Sequence, residues 1–261
     1  MALLNAKVGL VVGIANERSY AWHIAHGLIA QGARCAFAHL PGEKNERRTR
    51  RAVDELGVAD PVLVPMDAGK DEDIDAAFDR YAQSFDRLDF LVHSIAYADR
   101  DWLAIGKFAQ TPRQAYLAAI DISAYTLLGM ARRARDLMAR SGGGSIMAMS
   151  YYGAQKVVPG YNVMGVAKAA LECTARYLAA ELGGLKIRVN IISGGYLRTL
   201  ASSAVGGVDK MEELALTKAP LRRGVEGKDV GGAAVWLASD LSAGVTGETI
   251  YVDCGINTIG V

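Results

Sequence analysis

Two tyrosine–lysine pairs follow one another in the middle of the chain: Tyr152 with Lys156, four apart, and Tyr161 with Lys168, seven apart. A phenol backed by a cation suits an oxygen on which negative charge develops. The pairs differ in what holds them. The segment runs Ser150-Tyr151-Tyr152-Gly-Ala-Gln-Lys156-Val-Val-Pro159-Gly160-Tyr161-Asn-Val-Met164-Gly-Val-Ala-Lys168, and a helix should begin after Pro159-Gly160. Residues seven apart on a helix share a face, displaced by about two turns. Tyr161 and Lys168 can then both point at one bound ring. Tyr152 and Lys156 precede the break, where no helix is assured, and read as a decoy. If Lys168 is the working lysine, the position four before it is Met164, which carries no hydroxyl. The tyrosine then stands a turn earlier, as a different substrate geometry would require.

Such a pair needs a frame. Short apolar runs read as strands over Lys7–Val12, Arg34–Ala38, Val62–Met66, Leu88–His93, Gly144–Ser150, Lys186–Ile192 and Glu248–Val252. Helical patterns lie between them at Tyr20–Gln31, Glu43–Leu56, Asp71–Phe85, Arg113–Arg140 (one long helix or two), Tyr161–Leu182 and Asp229–Ala238. This alternation predicts an α/β fold: a Rossmann-like, doubly wound parallel sheet of about seven strands with helices on both faces. No linker or repeat interrupts it, so residues 1–261 read as a single domain. The stretch 193–228 lacks a clear strand and is expected to form a lid.

In such sheets ligands sit outside the carboxyl ends of the strands. After the first strand comes Gly13-Ile14-Ala-Asn-Glu-Arg-Ser19-Tyr-Ala21, a tight turn into a helix N-terminus that attracts an anion. Ser19 is expected to cap that helix and donate to a phosphate. The pattern is not G-x-G-x-x-G, and an ordinary strand–turn–helix reads equally well. Asp67 ends the third strand and could read an adenine amino group or simply cap a turn. His93-Ser94-Ile95-Ala96 ends the fourth, with small residues that let backbone approach a ribose; His93 itself reads as structural. After the second strand, His39-Leu40 offers no acid for a ribose hydroxyl, and Lys44, Arg47 and Arg48 read as a solvated helix face.

Composition narrows the function classes. The chain has 261 residues, 51% hydrophobic and 22% charged, with 29 Lys+Arg against 28 Asp+Glu. That is ample for a buried core and far from the basic surface of a nucleic-acid binder. No apolar run is long enough for a membrane span, and no secretory signal is expected. Cys35, Cys173 and Cys254 lack close spacing, which fits neither a metal site nor a disulfide framework and does fit a reducing cytoplasm.

Taken together, these blocks resemble the enoyl-acyl carrier protein reductases of type II fatty acid synthesis, a branch of the short-chain dehydrogenase/reductase superfamily. The resemblance runs from about residue 5 to the C-terminus. It rests on Gly13, Ser19 and Ala21, on residues 93–96, and above all on Tyr-Asn-Val-Met-Gly-Val-Ala-Lys at 161–168. The runs at 197–201, 219–223, 239–244 and 246–248 also match. The resemblance implies an oxidoreductase with NADH or NADPH as donor, NADH favoured, and a trans-2-enoyl thioester on acyl carrier protein or CoA as acceptor. It implies that Lys168 bonds the nicotinamide ribose and that Tyr161 bonds the thioester carbonyl. Tyr151 matches a second tyrosine that shapes or gates the acyl pocket. Gly13, Ile14, Ser19, Asp67, Ser94, Ile95, Leu197 and Thr199 match cofactor contacts, and a homotetramer is implied.

The chain also departs from the pattern. Where the family commonly has Ala-Gly-Pro, this sequence has Gly194-Gly195-Tyr196, which reads as a looser and bulkier turn beside the nicotinamide and the substrate. Trp22-His23 replaces an aromatic-Gly pair, and Leu40 stands where some members have a polar residue. The segment Ala201–Met211 carries Lys210 as its one basic residue, which gives weak support for docking a carrier protein there. Two other functions stay open: a ketone or alcohol oxidoreductase using Tyr152 and Lys156, and a non-catalytic dinucleotide-binding sensor.

Overall fold

The computed structural model describes residues 2–197, 213 and 216–260. Seven strands form one parallel sheet: β1 (Val8–Val12), β2 (Arg34–His39), β3 (Val62–Pro65), β4 (Phe90–His93), β5 (Gly144–Ser150), β6 (Ile187–Gly194) and β7 (Thr249–Val252). Their order across the sheet is β3-β2-β1-β4-β5-β6-β7. The helices are α1 (Tyr20–Ala30), α2 (Glu43–Asp54), α3 (Asp71–Ser84), α4 (Arg113–Ile120), α5 (Thr126–Arg140), α6 (Asn162–Leu182) and α7 (Gly227–Ala238).

The sheet is covered on both faces, which is why its strands are apolar throughout rather than alternating. All five residues of β1 are buried. Ile24 and Leu28 of α1, Val53 of α2 and Val230 and Leu237 of α7 pack with Val11, Phe37 and Val92 on one face. Ile74 and Phe78 of α3, Leu127 and Met130 of α5 and Leu171 of α6 pack with Leu10, Leu91 and Ile146 on the other. The doubly wound parallel architecture expected from the alternation is thus present.

Several boundaries differ from the expected ones. β4 opens at Phe90 rather than Leu88; Asp89, just before it, donates its N–H to Val8 O at 2.8 Å, and its carboxylate accepts from Val8 N at 2.8 Å and from Arg87. The 113–140 region is two helices joined by a π-turn at Asp121–Tyr125. α7 begins at Gly227, two residues early, because Glu226 and Asp229 form a reciprocal capping box. β6 runs on to Gly194, two residues past its expected end.

The strand order reverses between β1 and β4, where Val12 lies opposite His93. That reversal opens a crevice at the carboxyl ends of the strands. Gly13 and Ser94 stand at its two lips.

Candidate active site

Gly13 leaves β1 with φ +106°, and a methyl group on it would come within 2.1 Å of the Ser94 carbonyl oxygen. The turn therefore needs glycine for both conformation and space. Ser94 N donates to Val12 O at 3.0 Å, which holds the two lips together. Ile14 is buried, and its carbonyl accepts from Thr49 Oγ1 of α2 at 3.5 Å. Ile95 and Ser94 are half-buried.

Ser19 does occupy the N-cap of α1, but its side chain does not cap the helix. Its hydroxyl donates instead to Asn16 O at 2.6 Å. The first N–H groups of α1 are left without intrahelical acceptors, and the first turn contains no acidic residue. A helix start of that kind, above a glycine turn, fits the pyrophosphate of a dinucleotide. Asp67 makes the turn that its alternative reading proposed: Oδ1 accepts from Gly69 N at 3.1 Å. Lys44, Arg47 and Arg48 are exposed on α2, where Glu46 and Arg50 form an i,i+4 pair at 3.2 Å.

At the end of β5 the two tyrosine–lysine pairs separate. Tyr152–Ala154 forms a single 3₁₀ turn, and Lys156 lies exposed beyond it. Tyr161 sits at the N-cap of α6, with Lys168 buried two turns further along. Lys168 Nζ donates to Met149 O at 2.7 Å. The Tyr161 ring stands edge-on to Tyr151, centroids 5.1 Å apart, and Tyr151 stands edge-on to Tyr152 at 4.7 Å. The 3₁₀ turn presses on α6: methyl groups on Gly153 and Gly165 would lie 2.5 Å from the Tyr161 ring and 2.7 Å from Gly153 O.

Burial sets the protonation states. It pushes the Tyr161 phenol above its ordinary range, with help from the Glu172 carboxylate. The group stays a hydrogen-bond donor at neutral pH. Burial likewise raises Tyr151. It lowers Lys168 to about 8, against an upward pull from Glu172. His93 falls to about 3, through burial and then through the nearby Lys168 charge. Its Nε2 lies 2.7 Å from Thr126 Oγ1, which itself donates to Ile122 O. That ring nitrogen is therefore the protonated one, and His93 is a neutral core histidine.

The Gly194-Gly195-Tyr196 turn is tight rather than loose. The Tyr20 ring lies against Gly194, where a methyl group would meet it at 2.9 Å, and the Tyr20 hydroxyl donates to Gly195 O. Gly195 N donates to Val252 O at 2.8 Å, and Val225 and Asp253 close over its α-carbon. Tyr196 Oη and Ser193 Oγ are buried without a hydrogen-bond partner among the described residues. Two orphaned hydroxyls at this strand end are suited to a polar ligand that completes them. Leu197 is half-buried at the same end, whereas Thr199, Lys210 and most of the expected lid lie outside the described residues. Among the described residues no His, Cys, Asp and Glu cluster could hold a metal ion.

Sequence reasoning missed two residues of this site. Tyr20 reaches it across the fold, and only its place beside Ser19 hinted at that. Glu172 is four positions after Lys168 on the same helical face, so an i,i+4 search from the lysine would have found it.

The model of the enoyl-(acyl carrier protein) reductase family matches residues 13–257. The chain belongs to that family. Over the full length of both chains it is 46% identical to the NADH enoyl-[acyl-carrier-protein] reductase FabI of Nostoc sp.. Among solved structures it is similar to the Bacillus cereus enoyl-acyl carrier protein reductase with NADP+ and indole naphthyridinone. That match has a TM-score of 0.95 and 42% identity, and covers 100% of each chain. It is also similar to the Anaplasma phagocytophilum enzyme in complex with NAD, with a TM-score of 0.93, 44% identity and 99% and 97% of the two chains covered. In this member of the enoyl-(acyl carrier protein) reductase family, Tyr161 and Lys168 lie at the start of α6 and two turns along it, with Tyr152 and Lys156 on a separate turn.

Proposed function

We propose that this chain is an NADH-dependent enoyl-acyl carrier protein reductase, reducing the trans-2 double bond of enoyl thioesters in fatty acid elongation. The observation that carries this reading is that Tyr161 caps α6 while Lys168, two turns along the same helix, donates to Met149 O near the carboxyl end of β5. When bound, the nicotinamide supplies the hydride that reaches the β-carbon. The α1 N-terminus and Gly13 receive the pyrophosphate. Ile14, Ser19, Asp67, Ser94, Ile95, Leu197 and Thr199 line the cofactor. Lys168 donates to the nicotinamide ribose and keeps a positive charge beside the reacting atoms. Tyr161 donates to the thioester carbonyl oxygen, on which negative charge grows as an enolate forms. Its raised pKa favours donation over ionisation. Tyr151 and Tyr196 shape the acyl pocket, and the stretch between β6 and α7 acts as its lid within one domain.

A ketone or alcohol oxidoreductase would need Tyr152 and Lys156 as a pair, and the exposure of Lys156 weighs against it. We assign the partner as enoyl-acyl carrier protein, with enoyl-CoA as a surrogate, and place the enzyme in the cytoplasm. No helix among the described residues is long and apolar enough to cross a membrane. A homotetramer is supported by the exposed apolar residues Tyr116, Leu117, Tyr125, Leu128 and Tyr177 along α4, the π-turn, α5 and α6. Light scattering on the purified protein should give four times the chain mass; a monomer would refute the tetramer. NADH consumption with crotonyl thioester tests the activity itself.

A further inference from the structure

Glu172 is 3% exposed on α6, one turn beyond Lys168. A carboxylate is seldom buried without a partner. This one divides its two oxygens between donors from another segment: Ser150 Oγ donates to Oε1 at 2.6 Å, and Gln155 Nε2 donates to Oε2 at 3.3 Å. The residue before Ser150 is Met149, whose carbonyl takes the Lys168 ammonium at 2.7 Å. Two consecutive residues at the end of β5 are thus each gripped by one of two charged groups a helical turn apart. The turn between Ser150 and Gln155 carries Tyr151, whose ring stands on Tyr161.

Two neutral donors do not balance a buried negative charge; a nearby cation does. We propose that Glu172 is a positioning residue of this site: it is the buried counter-charge of Lys168, and it holds the Ser150–Gln155 turn against α6. Its role in the reaction rests on the reductase reading above. Few groups share this interior. His93 faces Lys168 from β4 and is neutral, while Tyr161 and, from β7, Tyr251 feel the Glu172 charge. Glu172 is the carboxylate that favours the charged form of Lys168 against burial.

The test titrates Lys168 directly. Cofactor-free protein labelled at lysine Cε is followed by NMR from pH 6 to 11, the range set by the ordinary lysine value. The Lys168 signal is assigned by its loss in Lys168→Met. Glu172→Gln should lower the Lys168 midpoint by at least about half a pH unit. Glu172→Asp should keep it nearer the wild-type value. Glu172→Met removes the charge without burying an amide and serves if the glutamine variant does not fold. An unchanged midpoint in the charge-free variants overturns the proposal. In parallel, the alkaline limb of NADH-dependent crotonyl reduction should move to lower pH in Glu172→Gln, in step with the NMR midpoint. A midpoint that falls while that limb stays put overturns the role in the reaction. A midpoint that falls in a protein without enoyl turnover upholds the counter-charge and refutes the reductase reading instead.

Discussion

The Tyr20 hydroxyl donates to the carbonyl of Gly195, which ties the start of α1 to the turn that follows β6. One phenol thereby links the segment suited to the pyrophosphate with the strand end suited to the nicotinamide. A proline would fix the turn through its own φ; here a hydrogen bond from another element does so. Tyr20→Phe keeps the ring on Gly194 and deletes only that bond. It should cost about 1 kcal/mol of stability and weaken NADH binding, read by denaturant unfolding and by fluorescence titration. Wild-type stability and affinity in the variant would contradict the link.

Gly13→Ala places a methyl group 2.1 Å from Ser94 O at a φ of +106°. The turn must then open, at a cost of about 1–3 kcal/mol. Dinucleotide affinity should fall more than tenfold while the circular dichroism spectrum stays that of an α/β protein. Unimpaired NADH binding would show that the cofactor does not use this turn.

The pH dependence follows from two buried bases. His93 has a folded value near 3, below the ordinary 6.5. The unfolded chain binds the extra proton between these values, so stability is fully present above pH 6.5 and declines as pH falls toward 3. His93→Gln should flatten that decline in urea-unfolding midpoints. Lys168 has a folded value near 8, below 10.5, so its contribution to stability rises with pH between the two. On the role proposed for Lys168, catalysis responds in the opposite sense, because its positive charge is lost as pH climbs through 8. Lys168→Met should abolish that rise of stability with pH, leave Glu172 without its cation and lose turnover, which thermal melts at several pH values and NADH oxidation can read together.

Much of this was legible in the sequence because it is local. β5 lies at Gly144–Ser150 as its apolar run and flanking glycines require, and Pro159-Gly160 places the start of α6. That Lys168 lies on the helix which Tyr161 caps, while Tyr152 and Lys156 precede it, needed only helical periodicity and the Pro159-Gly160 break. What escaped depends on contacts between distant segments. Ser19 was expected to cap α1, yet its hydroxyl turns back to Asn16. Gly194 and Gly195 looked like a loose turn, whereas Tyr20, Val225 and Asp253 pack onto them from elsewhere in the chain. No pattern within residues 193–196 carries that information.

Absorbance at 340 nm with crotonyl thioester and NADH, followed for the wild type and Tyr161→Phe, decides whether the phenol serves enoyl reduction. The wild type should consume NADH steadily and the variant at least about tenfold more slowly, equivalent to roughly 1.4 kcal/mol of transition-state stabilisation. NADH binding should be unchanged. Wild-type protein that binds NADH but reduces no enoyl thioester, or a Tyr161→Phe variant as fast as wild type, would contradict that role of the phenol.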